Sequence, residues 1–163
     1  MQTIACGLVI QKLCSGSGES VPATCIVLVI AVLPLPRFVL SGKVNSRREA
    51  VVRLWIRGPS GRTLETEAIV DTGFTGSLTL PQSHVTRLGL TWKGRGEGVL
   101  ADGTNNSFQV YEAVTLWHSQ PRVISVHAVE ADPLLGMALL DGSELAMQVV
   151  EGGEVVIHEL PVS

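Results

Sequence analysis

The stretch Ala68-Ile69-Val70-Asp71-Thr72-Gly73 places a carboxylate directly after three apolar residues. A carboxylate that leaves a buried element has to be paired or hydrogen-bonded, because burying an unsatisfied charge is costly. Asp71 is therefore either a turn residue that caps nearby backbone N–H groups, or a carboxylate placed for chemistry. Asp and Gly are common in turns, so the tripeptide alone does not decide, and the surrounding segments must.

Length and composition bound the class of protein. The chain has 163 residues, enough for one domain with a core. A hydrophobic content of 45%, a charged content of 17% and 17 glycines favour a β-rich domain with many turns. The net charge of −3, without a basic cluster, argues against nucleic-acid binding. Three cysteines confined to the first 25 residues do not form a disulfide framework, which favours a cytoplasmic protein.

The first 43 residues differ from the rest of the chain, and we predict an N-terminal extension over residues 1–43 and one domain over residues 44–163. The apolar run before Pro34 is far shorter than the roughly 20 residues that span a bilayer. We favour a poorly ordered extension first and an export signal second, because no A-x-A-like cleavage site is clear. A membrane anchor ranks last. Residues 41–50 read as a polar linker.

From Glu49 onward, alternating apolar residues and turn signals predict short, mostly paired strands. Val85 and Leu88 lie at helical spacing before Gly89, which predicts one short helix there. The resulting fold class is mainly β, a small closed antiparallel β-barrel with one or two short helices. The predicted strand segments, in chain order, are 50–58, 63–71, 76–81, a hairpin within 96–117, 122–131, a strand and helical turn within 132–142, and a hairpin about Gly152-Gly153.

Four segments, in chain order, resemble the retropepsin-like aspartic proteases of clan AA, most closely the small prokaryotic ones: VDTGFTGSLTLP, LGL, LADG and LLGMALL. The resemblance covers about residues 51–160 and implies the acid-protease type of barrel and an aspartic endopeptidase that needs no cofactor. It implies a catalytic role for Asp71, Thr72 and Gly73. It also implies that Leu134, Leu135 and Gly136 pack beneath the catalytic loop.

In such proteases two facing carboxylates share one proton, because like charges this close cannot both ionise. The ionised partner takes a proton from water, and the protonated partner donates to the scissile carbonyl of a peptide. The other aspartates, Asp102, Asp132 and Asp141, are not followed by Thr-Gly or Ser-Gly. The resemblance therefore predicts a homodimer in which each chain supplies Asp71 at a two-fold axis, with Thr72 hydrogen-bonded across the dimer.

The hairpin segment between Asp71-Thr72-Gly73 and Leu134-Leu135-Gly136 resembles a flap. Asp102-Gly103 is typical of a two-residue hairpin turn, and an ordinary surface hairpin is the alternative. The resemblance implies that Leu100, Ala101, Asp102 and Gly103 close over an extended peptide, exclude water and bind its backbone.

Phe74 departs from the family, which often has a small or hydroxylic residue after Asp-Thr-Gly. A hydroxyl there can hydrogen-bond the carboxylate, whereas Phe74 either shapes a substrate pocket or packs in the core. A non-catalytic barrel that binds a peptide or a partner protein is therefore the main alternative, and a structural domain with Asp71 capping a turn is a third. No histidine pair has metal-ligand spacing, so we expect no metal site.

Overall fold

Ten strands and two short helices make up the described part of the chain, which in this computed structural model comprises residues 39–99 and 105–161. The prediction of a mainly β protein with one or two short helices is confirmed. The elements are β1 (Val39–Val44), β2 (Ala50–Arg57), β3 (Thr63–Val70), β4 (Leu78–Leu80), α1 (Gln82–Leu88), β5 (Thr91–Val99), β6 (Asn105–Trp117), β7 (Gln120–Ala128), β8 (Leu134–Leu135), α2 (Met137–Leu140), β9 (Ser143–Met147) and β10 (Glu154–Glu159).

The strands form one sheet in the order β5-β6-β7-β4-β8-β3-β2-β1-β10-β9, and β2 additionally pairs with β6. Chain neighbours β2 and β3, β5 and β6, β6 and β7, and β9 and β10 pair antiparallel, as the sequence predicts. The exceptions are two parallel pairings, of β3 with β8 and of β4 with β7. Because β8 pairs with β3 on one side and antiparallel with β4 on the other, it lies between the two strands that the Asp71 loop connects.

Alternation along β2 shows why these residues form a half-buried strand. Val52, Leu54 and Ile56 are buried in the core, whereas Arg53 and Trp55 on the other face are exposed. This is the pattern expected of a strand with one face against a core. The core continues into β3, β4, β7, β8 and β10 through apolar residues that include Ala68, Leu78, Leu80, Val126, Leu135 and Ile157.

The helix α1 lies where the sequence predicts it. It follows Pro81, it buries Val85 and Leu88, and it ends at Gly89, whose φ of 62° is the left-handed conformation that glycine adopts readily. Among the described residues, the structure contains no helix of the length and hydropathy needed to cross a membrane.

The prediction of a polar linker over residues 41–50 is wrong for its first four residues, which belong to β1. This strand pairs with β10 on one side and β2 on the other. Its last residue, Val44, is buried in the core, and Leu40 packs against that core. A Cβ on Gly42 would overlap the carbonyl oxygen of Val51. The predicted boundary between residues 43 and 44 therefore falls inside a strand of a compact unit that spans Arg37–Ser163. The predicted extension over residues 1–43 otherwise lies outside the described residues.

We expect Gly42→Ala to destabilise the protein by roughly 1–3 kcal/mol, the usual range for overpacking. The added methyl group meets a backbone oxygen of β2, which a side-chain rotation cannot move aside. Denaturant unfolding measures the change, and Ser41→Ala, at the exposed neighbouring position in β1, is the matched control. Equal stability of the two variants would contradict the close approach of β1 to β2.

Candidate functional site

The loop that carries Asp71 is anchored at both ends to the segment that follows β8. The backbone N–H of Asp71 donates to the carbonyl oxygen of Leu135 over 2.9 Å, and the N–H of Gly136 donates to the carbonyl oxygen of Ser77 over 3.0 Å. These bonds follow from the position of β8 between β3 and β4. The two segments that the sequence predicts to act together, 71–73 and 134–136, are therefore in direct contact.

A close approach at Gly136 brings the first turn of α2 under the loop. The N–H of Met137 donates to the carbonyl oxygen of Phe74 over 2.8 Å, and the N–H of Ala138 donates to that of Gly76 over 3.1 Å. A Cβ on Gly136 would overlap the Gly76 carbonyl oxygen and the Phe74 ring. Only glycine fits at this position without moving the loop.

The Asp71 carboxylate is half-buried and is held by its own loop. Its Oδ1 accepts a hydrogen bond of 2.9 Å from the backbone N–H of Gly73, and its carbonyl oxygen accepts one of 3.2 Å from Phe74. Thr72 and Gly73 are exposed. This hydrogen bond holds the carboxylate against its own loop, and the same contact is what a turn-capping aspartate makes.

The residues beneath the loop differ in their roles. Leu135 is fully buried in the core, while Leu134 is half-buried and its backbone N–H donates to the Thr79 hydroxyl over 2.8 Å. Thr79 is 4% exposed, so this hydroxyl satisfies a backbone group that β8, only two residues long, leaves without a strand partner. The sequence analysis did not identify Thr79, because an inward-facing threonine in a strand carries no distinctive signal.

Phe74 does not join the main core but packs against an imidazole. Its ring meets that of His127 edge-on, with centroids 5.4 Å apart, and His127 in turn stacks on Phe108, with centroids 5.7 Å apart and planes 12° apart. Burial lowers the pKa of His127 below its ordinary value. Sequence reasoning missed His127, because only the register that pairs β7 with β4 brings it to the loop.

An open cavity of about 350 Å³ adjoins the loop on the side of α2 and β9. Thr72 lines it together with Met137, which is 46% exposed, and Leu145 of β9. The β9 strand lies at the end of the sheet, beyond β10. Thr72 of the Asp71 loop, an exposed methionine and the strand at the end of the sheet order therefore share one surface.

The four predicted flap residues, Leu100, Ala101, Asp102 and Gly103, lie outside the described residues. The strands that lead to them, β5 and β6, pair from Thr91 with Glu112 to Val99 with Asn105. Within residues 39–99 and 105–161, no three His, Cys, Asp or Glu side chains are grouped to hold a metal ion. Comparison with family models, curated proteins and solved structures gave no match.

Replacing Thr79 by the isosteric valine should lower the free energy of unfolding by roughly 1–3 kcal/mol, because the Leu134 N–H would lose its acceptor. Chemical denaturation provides the measurement. Thr91→Val, at an exposed strand position, is the control and should change stability little. A Thr79→Val protein as stable as the wild type would show that this hydrogen bond does not hold β8 in place.

Proposed function

We propose that this chain is an aspartic endopeptidase with a retropepsin-like fold, and that it acts as a homodimer. The observation that carries the proposal is the contact between the Asp71-Thr72-Gly73 loop and the Leu134-Leu135-Gly136 segment, with the half-buried carboxylate held by the Gly73 N–H. The sequence resemblance requires these two segments to meet, although they lie more than sixty residues apart along the chain.

The pairing pattern supports a closed barrel of this type. Starting at β6, the hydrogen-bonded neighbours are β7, β4, β8, β3 and β2, and β2 pairs back to β6 through Ile56 with Thr115 and Arg57 with Val114. A sheet whose first and last members pair has no edge in that part. The antiparallel β5–β6 hairpin extends from this ring and would carry the flap.

The proposed reaction is peptide hydrolysis by a water held between two Asp71 carboxylates, one from each subunit. The two groups share a proton, because two like charges in contact cannot both ionise. The ionised carboxylate accepts a proton from the water, whose oxygen bonds to the scissile carbonyl carbon. The protonated carboxylate donates to the carbonyl oxygen, and collapse of the tetrahedral intermediate, with a proton passed to the amine, breaks the C–N bond. The two residues act as one unit, so neither keeps a fixed role.

The surface around Thr72 is the proposed dimer interface. A two-carboxylate site requires the loops of two chains to face each other, so the residues beside the loop must meet their symmetry mates. Thr72 and Met137 are exposed, and Met147 of the end strand β9 is 41% exposed. Burial of such apolar side chains, together with pairing along β9, the last strand in the sheet order of residues 39–99 and 105–161, would favour association.

Asp71→Asn tests the reaction. Asparagine keeps an Oδ1 that accepts the Gly73 N–H, so the fold should survive, while hydrolysis should fall by roughly 10²–10⁴-fold or more with the loss of the acid–base group. Cleavage of a diverse peptide library from about pH 3 to 7 is the measurement. Asp132→Asn, at an exposed aspartate, is the control and should keep activity. Undiminished cleavage by Asp71→Asn would rule out the proposed mechanism.

Met137→Arg tests the shared site. A charge at this surface should oppose association, so the variant should sediment as a monomer and lose hydrolysis, while circular dichroism stays that of a folded β protein. Val123→Arg introduces the same change at a residue that is 64% exposed on β7 and should remain dimeric. A wild-type protein that sediments as a stable monomer would contradict the proposal, because one chain supplies only one Asp-Thr-Gly.

A non-catalytic module that binds a peptide or a partner protein is the second candidate, and Phe74 favours it. The phenyl ring cannot donate a hydrogen bond to the carboxylate, and it packs between Gly136 and His127. A folded dimer that binds library peptides with the same affinity with and without Asp71→Asn, and hydrolyses none of them, would support this candidate against the protease.

A further inference from the structure

A second apolar cluster lies on the sheet face opposite the main core. Val126 of β7 is buried in the core, so its neighbour His127 points to the other face, towards Phe74 of the loop and Phe108 of β6. The three side chains come from three separate elements. They connect the Asp71 loop to the hairpin strand β6 through the imidazole in the middle.

The hairpin contacts this cluster through Phe108. A Cβ on Gly98 would lie 2.6 Å from Cε2 of the Phe108 ring, so this ring covers the glycine on the facing strand β5. Trp92 and Gln109 join the same two strands by a side-chain hydrogen bond of 2.6 Å. The pairing of β6 with β7 holds the base of the hairpin and ends at Gln109. Phe108 is the next residue, so its ring is placed to fix the part of the hairpin that extends beyond this pairing.

We propose that His127 is a positioning residue that, by packing between Phe74 and Phe108, sets where the β5–β6 hairpin lies relative to the Asp71 loop, and that its protonation releases the hairpin. The functional meaning rests on the proposed function, in which this hairpin carries the flap over the catalytic carboxylates. The positioning itself is a property of the fold and requires no hydrolysis.

Protonation of His127 would place a charge on a half-buried ring, and the loss of hydration opposes that charge. His127 packs on two phenyl rings, and its register partners are the uncharged Thr79 and Val110. The titratable or charged side chains on the elements around it are Asp71 on the loop, Lys93, Arg95 and Glu97 on β5, Tyr111 and Glu112 on β6, and Arg122 on β7. Burial is the cause that lowers the pKa of His127, so the neutral ring is the form that the cluster accommodates.

The lowered pKa of His127 determines whether acid stabilises or destabilises the cluster. A histidine whose pKa is lowered in the folded state binds fewer protons than in the unfolded chain. Its contribution to stability is therefore complete above the unfolded pKa of roughly 6.5 and is lost as the pH falls through and below that value. The hairpin should accordingly loosen in acid.

Hydrogen exchange of the backbone amides in β5 and β6 tests the proposal on the full chain, expressed as protection factors so that intrinsic exchange rates cancel. Wild-type protection in the hairpin should be lost progressively as the pH is lowered from about 7 to 5, with an inflection that matches the His127 titration followed by its ring-proton NMR signal. The His127→Phe variant should keep its protection factors at both pH values, because phenylalanine stacks but does not titrate. His127→Ala should have low protection throughout.

Amides of β1 and β10, which lie away from the cluster in the sheet order, serve as the internal control. Equal pH dependence in the wild type and His127→Phe, or uniform loss across the whole sheet, would overturn the proposal. Peptide hydrolysis is measured in parallel with Asp71→Asn. If hydrolysis depends on Asp71 but the hairpin shows no pH response, the role of His127 is wrong and the protease proposal stands. If the hairpin responds to pH but no peptide is hydrolysed, the protease proposal is wrong and the role of His127 stands.

Discussion

The candidate site depends on the crossing of two chain segments that are distant in sequence. The loop after β3 and the segment after β8 exchange four backbone hydrogen bonds, two at the ends of the loop and two from the first turn of α2. The crossing requires a residue without a Cβ, and Gly136 supplies it. The position of the Asp71 carboxylate, the exposure of Thr72 and the orientation of α2 all follow from this contact.

Much of the fold was predictable, because its elements have local causes. The alternation of β2 and β3 around the Gly58–Gly61 turn, the helix that ends at Gly89, and the closing β9–β10 hairpin are each encoded within a few residues. The strand β1 was missed, since Ser41, Gly42 and Lys43 in its middle are typical of a polar linker, and pairing with β10 and β2 holds them in a strand. The parallel pairings of β3 with β8 and of β4 with β7 are also non-local and were missed.

The residues of the candidate site also fall into those that the sequence predicted and those that it did not. Asp71, Gly73 and the Leu134–Gly136 segment were identified from ordered motifs, and the structure brings them together. Thr79 and His127 were missed, because each acts through a contact that only the sheet register creates. Phe74 was recognised as a departure that either shapes a substrate pocket or packs in the core, and the structure places its ring against His127, outside the main core.

The central claim is that two chains share one pair of carboxylates, and a mixing experiment tests it most directly. Wild-type and Asp71→Asn chains are unfolded, mixed in varying ratios at constant total concentration, refolded together and assayed for peptide hydrolysis. If both carboxylates are required, activity follows the square of the wild-type fraction and an equal mixture keeps about a quarter of it, because dimers form at random between equivalent chains. Activity that falls linearly with the wild-type fraction, or no hydrolysis by the pure wild type, would contradict the account.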